Sequence, residues 1–117
     1  MATGSPKSRH PAPTIHEARL ASGPSGAVEW GSVLTLAEAI ARRRQELDIA
    51  VRGDDENANR KLAKTVEEAV GPASRPQPPH TSTAGPNALP HFHQISRSPA
   101  GHSFYETTKR KARKRKP

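Results

Sequence analysis

Apolar positions recur with a helical period in only one stretch of this chain, residues 32–71. Leu36, Ile40, Leu47 and Val51 follow one another at spacings of 4, 7 and 4 residues, which places them on one face of a helix. Thr35 and Glu38 have the spacing of a capping box at its start. Arg52-Gly53 suits its end, because glycine favours a helix C-cap. Asp54 or Asp55 can cap a second helix, whose apolar stripe is Ala58, Leu62, Val66, Ala69 and Val70. Gly71-Pro72 stops it.

Two arrangements fit this stretch. One is an antiparallel helical hairpin folded at Gly53. The other is a single long helix over about 33–70 that pairs with another chain as a coiled coil. The stripe changes phase near four polar residues, Asp54, Asp55, Glu56 and Asn57, which favours the break. Either stripe is thin. A fully buried aliphatic side chain contributes only about 1.5–3 kcal/mol, so the stripe needs a partner. Leu36, Ile40, Leu47, Val51, Leu62 and Val66 are therefore the expected protein-binding face, for an unidentified protein or a second copy in a homodimer.

The flanks lack such a pattern. Residues 1–31 read as a disordered arm, with one short helix at about 14–21 where Thr14 and Glu17 repeat the capping-box spacing. Residues 72–108 form a linker rich in Pro, Ser and His, with seven prolines between 72 and 99. Composition points the same way. Only 32% of residues are hydrophobic and 3% aromatic, beside 12 prolines and 8 glycines. Ordering a residue costs roughly 1–2 kcal/mol in backbone entropy, and so polar a chain recovers little of it by burial. The expected fold class is mostly disordered with a small all-α element.

Charge separates residues 109–117 from the rest. The net charge is +8, and the excess lies after residue 71. Seven of the nine residues from Lys109 to Pro117 are Lys or Arg. Lys109, Arg110, Lys111, Arg113, Lys114, Arg115 and Lys116 resemble a monopartite nuclear-localisation signal, an extended basic run held in acidic pockets of an importin-type receptor. That resemblance implies a protein of the nucleus, or of the nucleolus within it. The same cations can displace phosphate counterions and so hold RNA or DNA without sequence preference. Phe104 and Tyr105 lie close enough in sequence to add stacking. The competing reading is a solubilising tail.

Other features carry less. Arg42, Arg43 and Arg44 project about 100° apart on a helix. They fit ordinary surface ion pairs with Glu38 and Asp48, or, as the alternative, contacts to phosphate. Histidines stand at 10, 16, 80, 91, 93 and 102. His91-Phe92-His93 could bring two imidazoles together, yet no cysteine or nearby carboxylate completes a metal site, so these read as coil histidines. Ser5 and Ser98 precede prolines and are candidate phosphosites, where phosphate would add charge before the basic tail. Pro76-Gln77-Pro78-Pro79 has a PxxP spacing. Arg52-Gly53-Asp54 matches an integrin-binding tripeptide, against which a helix-cap role competes.

Several classes are disfavoured. There is no cysteine for a disulfide or thiol chemistry. The N-terminal residues lack the apolar core of a secretory signal, prolines interrupt any amphipathic presequence, and no apolar run nears the roughly 20 residues that cross a bilayer. No glycine-rich phosphate loop, nucleophile elbow or His-Glu metal motif is present. The sequence thus leads to no expected enzyme, metal, cofactor or membrane association. Its first reading is a small basic nuclear adaptor, with helices that bind a partner and a tail that directs import. The alternative is a direct RNA- or DNA-binding protein, such as a viral accessory protein, with Arg42, Arg43, Arg44, Arg60, Lys61 and Lys64 laid along a duplex.

Overall fold

Residues 14–20, which the capping-box spacing assigns to a helix, form a strand instead. This is β1 (Thr14–Leu20), and it pairs antiparallel with β2 (Val28–Leu34), placing Ile15 opposite Leu34 and Leu20 opposite Val28. The register slips between His16 and Ala18, where β2 carries the extra residue of a bulge. The structure is a computed structural model, and it describes residues 12–21, 26–79 and 87–114.

The Thr35–Glu38 capping box forms, and it opens α1 (Leu36–Arg44). Thr35 Oγ1 accepts from the Glu38 N–H at 3.1 Å, and Glu38 Oε1 accepts from the Thr35 N–H at 2.8 Å. The helix then ends nine residues before Gly53. Glu46 takes a left-handed conformation (φ 67°), which turns the chain into β3 (Ile49–Arg52). Ile49, Ala50 and Val51 are all buried, as expected for a central strand covered on both faces. Leu47 and Val51 match the helical spacing of Leu36 and Ile40 without sharing a helix with them. Asp55 caps α2 (Glu56–Val70) through its side chain, and Gly71 closes it.

Three short strands follow: β4 (His91–Phe92), β5 (Ser103–Tyr105) and β6 (Arg113–Lys114). The sheet order is β4-β5-β3-β1-β2-β6. Pairings are antiparallel except β3 with β5 and β2 with β6, which are parallel. The expected class, mostly disordered with a small all-α element, is therefore wrong. The described residues form an α/β globule with a six-stranded mixed sheet and two helices. A strand separates the helices, so there is neither a helical hairpin nor a long helix over 33–70, and the coiled coil goes with them. The segments read as a disordered arm and linker supply β1, β4, β5 and the first part of β2, and β6 comes from the basic tail.

Each face of the sheet has its own core. Ile15, Ile49, Val51, Phe92 and Tyr105 meet Ala39, Ala63 and Val66 of the helices, with Leu34, Ile40 and Leu62 at the margin. The opposite face buries Ala18, Val28, Ala50, Leu89, Phe104 and Ala112, edged by Trp30. That second core is covered by irregular chain rather than by helices. Alanine fills much of both, which is how a chain with few large apolar residues closes a core.

Polar groups complete the interior. Arg43 and Glu67 are fully buried and paired, joining α1 to α2. Arg43 Nη1 also donates to the carbonyls of Leu47 and Ala100. Glu67 further accepts from Ser103 Oγ at 2.6 Å and from Gln94 Nε2 at 2.7 Å. One carboxylate thus ties both helices to β5 and to the chain after β4. A buried pair persists only when its remaining hydrogen-bonding capacity is met, and here both partners are surrounded.

Candidate nucleic-acid interface

The basic stretch after Tyr105 is built into the fold as far as Lys114. The Thr107 side chain accepts from the N–H groups of Lys109 and Arg110, and the Thr107 N–H donates to the Arg110 carbonyl. This closes a tight turn. Thr108 donates twice to Glu56 at the start of α2. Ala112 is buried in the second core, and its N–H donates to buried Glu106 at 2.8 Å. Arg113 and Lys114 then pair with Glu29 and Trp30 as the last strand of the sheet. With Ala112 turned inward, Lys109, Lys111, Arg113 and Lys114 are exposed, and Arg110 is half-buried with Nη1 3.3 Å from the Ala88 carbonyl.

Lys109, Arg110 and Lys111 form a ridge between three hollows. The first, about 480 Å³, is lined by Pro76, Pro78, Pro79, Pro90 and Tyr105, by Arg60, Lys109 and Arg110, and by Glu56. The second, about 250 Å³, lies between Asn87 and the ridge. The third, about 520 Å³, holds Lys111 with Arg52, Thr14 and Glu106. Burial pushes the Tyr105 hydroxyl above its ordinary pKa; Arg60 opposes this and Glu56 adds to it. The PxxP segment and the basic tail, far apart in sequence, thus line one cavity. Its lining joins apolar rings to three cationic side chains and one carboxylate.

The structure separates the other residues singled out in the sequence. Val51 and Val66 are buried in the chain's own core, and Ile40 and Leu62 pack against it. Leu36 and Leu47 remain exposed, on different elements. Arg43 is wholly interior. Arg42 donates to the carbonyls of Asp48 and Ala18, and Arg44 donates to that of Ala69, so the triplet braces the fold. Its partners are not the surface pairs with Glu38 and Asp48 that the spacing suggested. Arg52 lies over the Trp30 ring, 3.9 Å from its centroid, and Gly53 abuts Asn59. Ser98 is exposed beside Ser96. Ser5, Arg115 and Lys116 lie outside the described residues.

A histidine cluster is the feature that sequence reasoning missed. His91 and His93 fall on the same face by strand alternation, and β5 brings His102 beside them. The His91 ring centroid lies 4.8 Å from that of His102 and 6.3 Å from that of His93. His102 Nδ1 faces Asp48 Oδ1 at 3.5 Å. Among the described residues, no three His, Cys, Asp or Glu side chains are grouped as ligands for one metal ion. The His-x-His spacing was the available signal, but it identifies a face only once the segment is known to be a strand.

No family model, curated protein or solved structure matches this chain, so its geometry is the ground on which a function can be argued.

Proposed function

We propose that this protein binds nucleic acid, chiefly through the phosphate backbone, along the ridge Lys109–Lys111. The observation that carries this reading is that three consecutive cationic side chains line three adjoining hollows, one of them also lined by four prolines, Tyr105 and Arg60. Cations that displace condensed counterions supply affinity without sequence preference. Apolar rings beside them can receive a base. The net charge of +8 favours encounter with a polyanion. The adaptor reading is less well supported, because four of the six aliphatic residues offered for a partner lie in or against the chain's own core.

The test is a salt titration of single-stranded RNA and DNA binding, with the intact chain and a Lys109→Gln/Arg110→Gln/Lys111→Gln variant. Each lost phosphate contact to a single strand flattens the log–log slope by about 0.7, so the triple variant should lose about two units of slope. Equal slopes for the two proteins would remove the ridge from the interface.

A further inference from the structure

Three imidazoles stand together on the sheet face opposite the helices, and nucleic-acid binding at the ridge does not use them. His91 is buried, and its Nδ1 lies 3.2 Å from the Leu89 carbonyl oxygen. The His93 and His102 rings each lie near it, and both residues are half-buried. The Phe104 ring lies 5.6 Å from His91 and 5.2 Å from His102, giving the cluster an apolar floor.

The His93 ring is held through Nδ1. His93 Nδ1 lies 2.7 Å from the Gln94 carbonyl oxygen. A carbonyl only accepts, so Nδ1 carries a proton and Nε2 is the nitrogen able to exchange one. His102 Nδ1 is buried without a hydrogen-bond partner, 3.5 Å from Asp48 Oδ1. The exposed third of that side chain therefore belongs to its other atoms. The same Asp48 oxygen accepts from the His102 backbone N–H at 2.8 Å, which fixes the carboxylate. A carboxylate behind Nδ1 orients an imidazole. Imidazole is the side chain suited to proton exchange near neutral pH. The one hydroxyl next in sequence, that of Ser103, donates to Glu67 on the helix side and offers the cluster no nucleophile. A substrate that brings its own nucleophile needs none from the cluster.

Resting on the nucleic-acid-binding reading, we propose that His102, oriented by Asp48, and His93 form an acid–base pair that cleaves single-stranded RNA. RNA carries its nucleophile as the ribose 2′-hydroxyl. His102 Nε2 takes the 2′-hydroxyl proton while O2′ bonds to phosphorus. The P–O5′ bond breaks, and protonated His93 gives its Nε2 proton to the departing O5′. One proton is taken and one returned, leaving a 2′,3′-cyclic phosphate and a 5′-hydroxyl end. His91 is a positioning residue that spaces the other two rings. The sequence offers no catalytic motif here; His91 lies in β4, His93 directly follows that strand, and His102 directly precedes β5.

The experiment incubates the full chain with a labelled single-stranded RNA, the same RNA carrying one 2′-deoxy linkage, and the matching DNA, with and without EDTA. Binding is measured beside cleavage. The expected result is RNA cleavage with cyclic-phosphate ends that is insensitive to EDTA, with the deoxy linkage and the DNA left intact. His102→Asn and His93→Asn, made separately, should each lower the rate by a hundredfold or more, the scale of a lost general acid or base. Each should keep the wild-type affinity and near-ultraviolet circular dichroism. RNA that is bound but left intact by the wild-type chain overturns this proposal and leaves the binding reading standing. RNA that is neither bound nor cleaved overturns both. Cleavage of DNA, loss of activity in EDTA, or full activity in both histidine variants overturns the proposed chemistry.

Discussion

Arg43 and Glu67 form an ion pair in which neither side chain is reached by water. It joins α1 to α2, and through Ser103 and Gln94 it reaches β5 and the chain after β4. Removing one partner leaves the other buried and uncompensated. Arg43→Met or Glu67→Leu should each cost about 3–5 kcal/mol, read as a fall in the urea midpoint. The double replacement by apolar residues should cost less than the two single changes together.

The same pair sets the acid limb of stability. Burial alone would raise the Glu67 pKa, but hydrogen bonds from Arg43, Ser103 and Gln94, with the Arg43 charge, bring it below the ordinary 4.5. A depressed native pKa means stabilisation that is complete above the unfolded value and lost as pH falls through the native one. Circular dichroism during acid titration should therefore show unfolding that begins below about pH 4.5. Glu67→Gln, less stable at neutral pH, should show a flatter acid limb.

Gly101 has φ +105°, a conformation that L side chains rarely adopt. A Cβ there would stand 2.6 Å from Arg43 Nη1 and 3.1 Å from Asp48 Oδ1. Gly101→Ala should therefore strain the backbone and press on both the buried ion pair and the Asp48–His102 contact. A loss of about 1–3 kcal/mol is expected from the backbone conformation alone, measurable by thermal melting.

Tyr105 is the single tyrosine of the chain, so ultraviolet difference absorbance follows its ionisation alone. Its midpoint should lie above the ordinary 10.0 because burial disfavours the phenolate. Arg60→Gln should raise the midpoint further, since Arg60 favours the phenolate, and Glu56→Gln should lower it. A raised native pKa also means stability that holds below the unfolded value and falls as pH rises above it, so the protein should weaken in strong alkali.

Local signals in the sequence were sound where short-range chemistry decides structure. The capping box at Thr35, the Asp55 cap and the Gly71 stop all stand where the residues placed them. The sheet was hidden for a physical reason. Beside Val28, Leu89 and Phe104, its second face uses Ala18, Ala50, Ala112, His16 and His91, which are small or polar and weaken any hydrophobic alternation. Leu36, Ile40, Leu47 and Val51 kept a helical spacing by coincidence, and only the packed fold separates the last two as turn and strand. Buried charge was equally illegible, because Arg43 finds its partner 24 residues away rather than one turn along its helix. The basic character of Lys109–Lys114 was evident, but its docking depends on Ala112 and Glu106, whose burial is a tertiary fact.

Backbone amide shifts of the ¹⁵N-labelled chain, followed as unlabelled single-stranded RNA is added, test the central claim most directly. The account predicts that the largest changes cluster at Arg60, Gln77, Tyr105 and Thr107–Lys111, around the hollows of the basic ridge. Changes concentrated instead at the exposed Leu36 and Leu47, or no change at all at low salt, would contradict it.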